Sequence, residues 1–221
     1  MDRAAISARL DEATKQHRLL DHPFYRAWAA GTLTREDLAF YSTQYWRQVE
    51  AFPGYLAAVA ERLPERAREI VEANLRDERD DDHPGLWIDF AEALGVAGEA
   101  VRSTAVEAET TECVASFTEG ASSMSPAFAL GMLYAYESQT PEVAKTKIEG
   151  LRSHYGIDGA PLTYFELHGE LDVHHSSELS SALNDVIEDE SDVDDAIAGA
   201  RAGVRAIYGL LDGVARVRQI C

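Results

Sequence analysis

The feature that most constrains this chain is the period of its hydrophobic residues. Apolar side chains recur at three- and four-residue spacing almost from end to end, the repeat of one face of an α-helix, and no segment alternates as a half-buried strand does. The pattern predicts an all-α fold, with helices over 2–19, 22–31, 34–62, 65–80, 84–94, 104–120, 125–155, 162–188 and 191–219. Local punctuation agrees: Thr34 with Asp37 is a capping-box variant, Ser125-Pro126 opens a helix and Gly156 closes one. Pro53 and Pro141 lie inside long helical patterns, where each removes a backbone donor, so a bend or break is expected at both. The acidic stretch Glu188 to Asp195 reads as a connection between helices. No repeat, low-complexity tract or linker divides the 221 residues, so 1–221 is expected to be one domain around one core.

Charge and cysteine usage narrow the function classes. With 39 acidic against 20 basic residues the formal charge is -19, a field that repels phosphate backbones and anionic lipid surfaces. Nucleic acid and membrane are therefore poor partners. Residues 1–20 are charged and amphipathic, without the apolar centre of a secretory signal, and no later apolar run approaches a membrane span. A cytoplasmic location is expected. Cys113 and Cys221 are too few for a disulfide framework or a thiolate metal site and read as free thiols.

Three segments carry residues suited to metal chemistry. In the stretch from Tyr164 to His175, the residues His168, Asp172 and His175 are spaced by four and seven. At about 100° per residue these offsets return to within about 40° of the starting direction, so all three leave one helix face. Imidazole and carboxylate together suit iron, manganese or zinc at an open site. The bland alternative is a polar solvent face. His174 points elsewhere.

The second segment pairs Glu78 with His83. An offset of five turns two side chains about 140° apart on a regular helix, so one metal can hold both only if the helix ends between them. Pro84 makes such an ending natural, while Asp80, Asp81 and Asp82 compete for the role and read equally as a solvated helix end. The third candidate is Glu137, a carboxylate in an apolar and aromatic helix that must be paired, neutralised or bound to metal. Lys147 is the salt-bridge partner the simpler reading would give it. Inward Glu and His from several helices are how bundles build two-metal carboxylate sites.

At this point the chain resembles a known family over nearly its whole length. The matching stretches are His22-Pro-Phe-Tyr25-Arg-Ala-Trp28, Ala51-Phe-Pro-Gly-Tyr55-Leu, Asn74-Leu-Arg-Asp-Glu78 with His83 and Leu86-Trp87, Tyr134-Ala-Tyr136-Glu137-Ser-Gln, Lys147-Ile-Glu-Gly-Leu151, Tyr164-Phe165 with His168, Asp172 and His175, and Tyr208-Gly-Leu-Leu-Asp212. They are similar to the Chlamydia protein associating with death domains and its bacterial relatives, within the haem-oxygenase-like dimetal oxidases. In those relatives the segment joining the first Glu to its His is slightly longer.

The resemblance implies a haem-oxygenase-like bundle of about seven principal helices, with Glu78, His83, Glu137, His168, Asp172 and His175 as six ligands to an Fe/Fe or Mn/Fe pair. It also implies an O2-dependent oxidoreductase with an external reductant. Its members include self-sacrificing 4-aminobenzoate synthases that serve folate synthesis. On that pattern Tyr25 is the consumed ring and Lys147 the amine donor, while Tyr41, Tyr136 and Tyr164 line the site. Tyr45 and Tyr55 read as core packing.

Three competing readings stand beside this one: a dimetal oxygenase with a separate small substrate, a metal-free thiaminase-like or quinone-synthase-like enzyme, and an interaction module without catalysis. Cys113 lies outside the segment around Glu137 where a thiaminase nucleophile is expected. If the chain assembles with itself, a homodimer is the commonest form.

Overall fold

The computed structural model describes residues 3–221, and every predicted helical segment is realised with changes at the breaks. Eleven α-helices form among the described residues: α1 Arg3–Lys15, α2 Pro23–Ala30, α3 Arg35–Ala60, α4 Glu65–Asp80, α5 His83–Ala93, α6 Gly98–Ser103, α7 Ala108–Ser123, α8 Pro126–Glu137, α9 Thr140–Gly150, α10 Thr163–Val186 and α11 Glu190–Arg218. No strand occurs among these residues. The helices of 12 residues or more are α1, α3, α4, α7, α8, α10 and α11, which agrees with seven principal elements.

The ends follow local chemistry. Thr34 and Asp37 bond to each other's backbone at the start of α3, the Ser125 hydroxyl accepts from Phe128 N at the start of α8, and Gly156 takes φ +64° after the turn at Leu151–Tyr155. α3 runs unbroken through Pro53. Pro141 does break its pattern: the expected helix over 125–155 is divided after Glu137, and Pro141 occupies the first turn of α9, where its missing N–H costs nothing. The acidic stretch taken as a connection is mostly helix. Asp189 caps α11, receiving the backbone N–H groups of Ser191 and Asp192, because carboxylates at a helix start satisfy free donors and favour the dipole.

α8 occupies the centre. Ala127 and every residue from Ala129 to Glu137 are buried, the signature of a helix enclosed on all sides. It packs mainly against α11 and α10 and also touches α1, α3, α7 and α9. The α8–α11 approach is close enough that a Cβ on Gly131 would overlap the Ala196 carbonyl and one on Gly199 the Phe128 carbonyl. The buried apolar side chains form one cluster that includes Trp28, Trp46 and Trp87.

This contact generates a paired prediction. Gly199→Ala should destabilise the protein by about 2 kcal/mol, because backbone rather than a flexible side chain must move. Gly209→Ala, on the same helix with nothing within 4 Å of the new methyl, should stabilise it by about 0.5–1 kcal/mol. Thermal and denaturant unfolding of the two variants would show shifts of opposite sign.

Candidate metal centre

α4, α5, α8 and α10 bring the six polar candidates into the interior. Glu78, His83, Glu137, His168, Asp172 and His175 are all buried. The helical spacing on α10 does what its angles require, turning His168, Asp172 and His175 inward while His174 stays exposed. Glu78 and His83 meet because the chain breaks between them. α4 ends at Asp80, Asp82 adopts φ 47° and ψ 49°, and α5 begins at His83. Asp tolerates the left-handed region better than most residues, and here its Oδ1 caps α5 by accepting from Gly85 N at 3.2 Å. Asp80, Asp81 and Asp82 are exposed and stay outside the cluster.

By donor distance the six residues fall into one compact trio and a second, looser one beside it. Glu78, His83 and His168 each offer one donor atom, all within 4.8 Å of one another. His83 Nδ1 lies 2.7 Å from Glu78 Oε2 but outside hydrogen-bonding direction, so both His83 ring nitrogens lack a hydrogen-bond partner. His168 donates Nδ1–H to the Tyr164 carbonyl at 2.7 Å, which leaves Nε2 free, 3.8 Å from Glu78 Oε1. In the other trio His175 Nδ1 lies 3.5 Å from Asp172 Oδ1, and burial, then the Asp172 charge, pushes the Glu137 carboxyl well above its usual range.

The fit of a cation can be judged from unpartnered atoms. His83 Nδ1 and Nε2, His175 Nδ1, Asp172 Oδ2 and Glu137 Oε2 are buried without hydrogen bonds, each a penalty of about 1–3 kcal/mol if nothing else meets it. Nitrogen and oxygen donors without thiolate are a set that iron or manganese would satisfy. Lys147 does not pair with Glu137; the Asn74 amide does, donating to Oε1 at 2.8 Å.

Beside the trios lies a phenol-lined chamber. Lys147 Nζ donates to Tyr41 Oη at 2.9 Å, the Tyr25 and Tyr41 hydroxyls are 3.4 Å apart, and Nζ sits 5.5 Å from the Tyr25 ring centroid. Burial pushes Lys147 down to about 7 and raises the phenols of Tyr25, Tyr41, Tyr136 and Tyr164. A cavity of about 20 Å³ joins Tyr25, Lys147, Tyr136, Tyr164 and His168. Tyr41 does not line that cavity but supports Lys147 from behind. Tyr55 packs on Phe117 and donates to Gln48, as core packing requires, whereas Tyr45 lines the cavity and donates to Tyr136 Oη at 3.1 Å.

Two devices hold Tyr25 and Lys147 in register. Trp28, on the α2 helix that carries Tyr25, donates Nε1–H to the Lys147 carbonyl at 3.2 Å; Gly150 makes room, since a Cβ there would stand 2.6 Å from the indole. His22 caps α2 by accepting from Phe24 N through Nδ1, which fixes Nε2–H toward Asp212 Oδ1 at 3.1 Å. Sequence reasoning gave no role to Asn74 or Asp77 and read Tyr45 as core packing, whereas it lines the cavity. The four-residue spacing of Asn74 and Glu78, and of Tyr41 and Tyr45, was the available signal.

Metal loading should be visible as stability. Burial lowers His175, but Asp172, Glu137 and Asp77 outweigh it and hold the imidazole at about 9. In the metal-free chain that raised value contributes stability below pH of about 6.5, lost as pH rises through about 9. A cation must displace this proton, so affinity should increase with pH up to that value. Anaerobic Mn(II) at about 100 times its Kd should add about 2.7 kcal/mol. Melting curves at several pH values with and without metal would check both; no shift at any pH would count against a metal site.

Comparison with known proteins gives the family and the fold. Residues 39–208 match the family described as iron-containing redox enzyme. A 4-aminobenzoate synthase of Chlamydia muridarum is 34% identical over 216 residues, covering 96% of this chain and 91% of the relative. A Shewanella denitrificans domain of unknown function with a haem oxygenase-like fold superposes with TM-score 0.85 at 19% identity, over 99% of this chain and 94% of that one. A CADD-like protein of unknown function from Nostoc punctiforme gives TM-score 0.74 at 20% identity, over 96% and 99%. The likeness to the solved structures carries the fold, that of a haem oxygenase-like bundle. The sequence matches carry the family: this chain belongs to the iron-containing redox enzymes and is an oxidoreductase.

Proposed function

We propose that the chain holds an Fe/Fe or Mn/Fe pair, one ion through Glu78, His83 and His168 and the other through Glu137, Asp172 and His175. With O2 and an external reductant it converts its own Tyr25 into 4-aminobenzoate for folate synthesis, Lys147 giving the nitrogen. The proposed setting is the cytoplasm. The name of the Chlamydia relative supports the product, and the observation that carries self-consumption is the size of the chamber. About 20 Å³ is room for a water-sized molecule, whereas pockets for a separate organic substrate are about 300–1,000 Å³. The Tyr25 ring, 5.5 Å from the amine, is already part of the wall, along with Phe165 at 5.0 Å and Tyr45 at 5.1 Å.

The chemistry of the product fits these positions. The tyrosine side chain has a seven-carbon skeleton, six in the ring and Cβ, and its oxygen is para to Cβ. In 4-aminobenzoate a nitrogen is para to the carboxyl carbon, so nitrogen must replace the phenol oxygen, the Cε–Nζ bond of Lys147 and the Cα–Cβ bond of Tyr25 must break, and Cβ must be oxidised at the expense of O2. When bound, the metals supply the oxygen-dependent redox chemistry that side chains lack.

Lys147 must attack as the neutral amine, and burial has brought it to about 7; nearby cations would lower it further. Tyr41 orients that amine through its hydroxyl and keeps it beside Tyr25. The apolar wall of Val143, Ala144 and Phe165 limits the water beside the ring. An interaction module without catalysis leaves the buried Lys147 and the five unpartnered donors unused.

Peptide mass spectrometry of protein supplied with Fe(II), Mn(II), reductant and O2 tests the reading. Product should not exceed one per chain and should appear with loss of the residue 25 side chain. Tyr25→Phe and Lys147→Arg should each reduce yield at least about tenfold, the scale of losing a group that acts in the transition state. Because the neutral amine is the active form, the initial rate should rise with pH through about 7 or below and then level. Many turnovers from an unmodified chain would replace this reading with an oxygenase acting on a separate substrate.

A further inference from the structure

Helix α4 reaches both trios. Glu78 enters the first, while Asn74, four residues earlier, and Asp77, its immediate neighbour, touch the second. Asn74 Nδ2 donates to Glu137 Oε1 at 2.8 Å, and His175 Nε2 lies 3.1 Å from Asp77 Oδ2. In each case the partner's other atom, Glu137 Oε2 or His175 Nδ1, is buried without a hydrogen bond. Asn74 is itself buried, whereas the Asp77 side chain is 49% exposed.

We infer that Asn74 and Asp77 are positioning residues for the second metal site, fixing which atoms of Glu137 and His175 face the ion. The argument rests on the two-metal reading above. A neutral imidazole has one N–H and one lone pair. The Asp77 carboxylate accepts only, so it places the proton on Nε2 and the lone pair on Nδ1, the atom directed toward Asp172. The Asn74 amide engages one Glu137 oxygen and thereby leaves the other for the ion.

The first trio is built differently. The proton of His168 is held by the Tyr164 carbonyl of its own helix, so this ligand does not depend on any α4 hydrogen bond. Removing the α4 contacts should therefore separate the two sites, weakening the second and sparing the first. Partners of this kind typically change metal affinity by about 10–100-fold.

The test is an anaerobic Mn(II) titration of the full chain, with free Mn(II) counted by electron paramagnetic resonance and the spin-coupled pair read from the bound signal. The wild-type chain should take two equivalents. Asp77→Ala should weaken the second by about 10–100-fold, leave the first within about twofold and diminish the coupled signal at stoichiometric metal. Asp77→Asn keeps an acceptor and should lose less. Asn74→Leu, of similar volume, should also weaken the second selectively, with circular dichroism and melting of the metal-free protein reporting its fold; the half-exposed Asp77 position provides the test if Asn74→Leu does not fold. Wild-type affinity for both equivalents in Asp77→Ala, or equal weakening of the two, overturns the inference and leaves the two-metal reading standing. A wild-type chain that takes fewer than two equivalents overturns that reading and the inference together.

Discussion

Carboxylates and imidazoles buried without hydrogen-bond partners are the constraint around which the structure is organised. Isolated polar groups in an apolar interior cost free energy, and five such atoms converge here from α5, α8 and α10. A core that accepts them must gain enough elsewhere, and the continuous apolar cluster with its three buried tryptophans is where that gain lies. Cations would relieve much of that cost, one meeting a His83 nitrogen and a second meeting Glu137, Asp172 and His175, where nitrogen and oxygen lone pairs are buried without partners.

The breaks in the helices follow from bringing those atoms together. Glu78 and His83 could not face one point along a continuous helix, and the left-handed Asp82 between α4 and α5 resolves this. Glu137 is the last residue of α8, and the turn that follows lets α9 leave at a new angle and bring Lys147 beneath Tyr41 and Tyr25. The turn at Leu151–Tyr155 widens to a π-helix immediately after α9, a departure from regular geometry of the kind often found near functional sites.

The chamber itself shows how one environment can serve several groups. The same desolvation that raises the phenols lowers the ammonium, so neutral Tyr25 and neutral Lys147 are favoured by a single physical cause. Trp28 and Gly150 then set the distance between the helices that carry them. A shared bundle fold does not select a chemistry; the proposed one rests on the side chains facing the chamber.

The helical period alone determined the fold class and nearly every helix, because burial of one face is a local property of the chain. Spacing alone also placed His168, Asp172 and His175 on one face, since all three sit on α10. The partnership of Glu78 with His83 was legible only as a condition, that the helix end between them, and the bond between Glu137 and Asn74 rather than Lys147 was not legible at all. The first depends on a backbone break between α4 and α5, and the second joins residues distant in sequence whose geometry depends on how α4 and α8 pack. The same holds for Tyr45, which spacing placed beside Tyr41 but only packing turned into the cavity wall. Residue types and periods specified which side chains could do chemistry; the tertiary structure decided which of them meet, because distance in space is set by contacts between helices and not by any one helix.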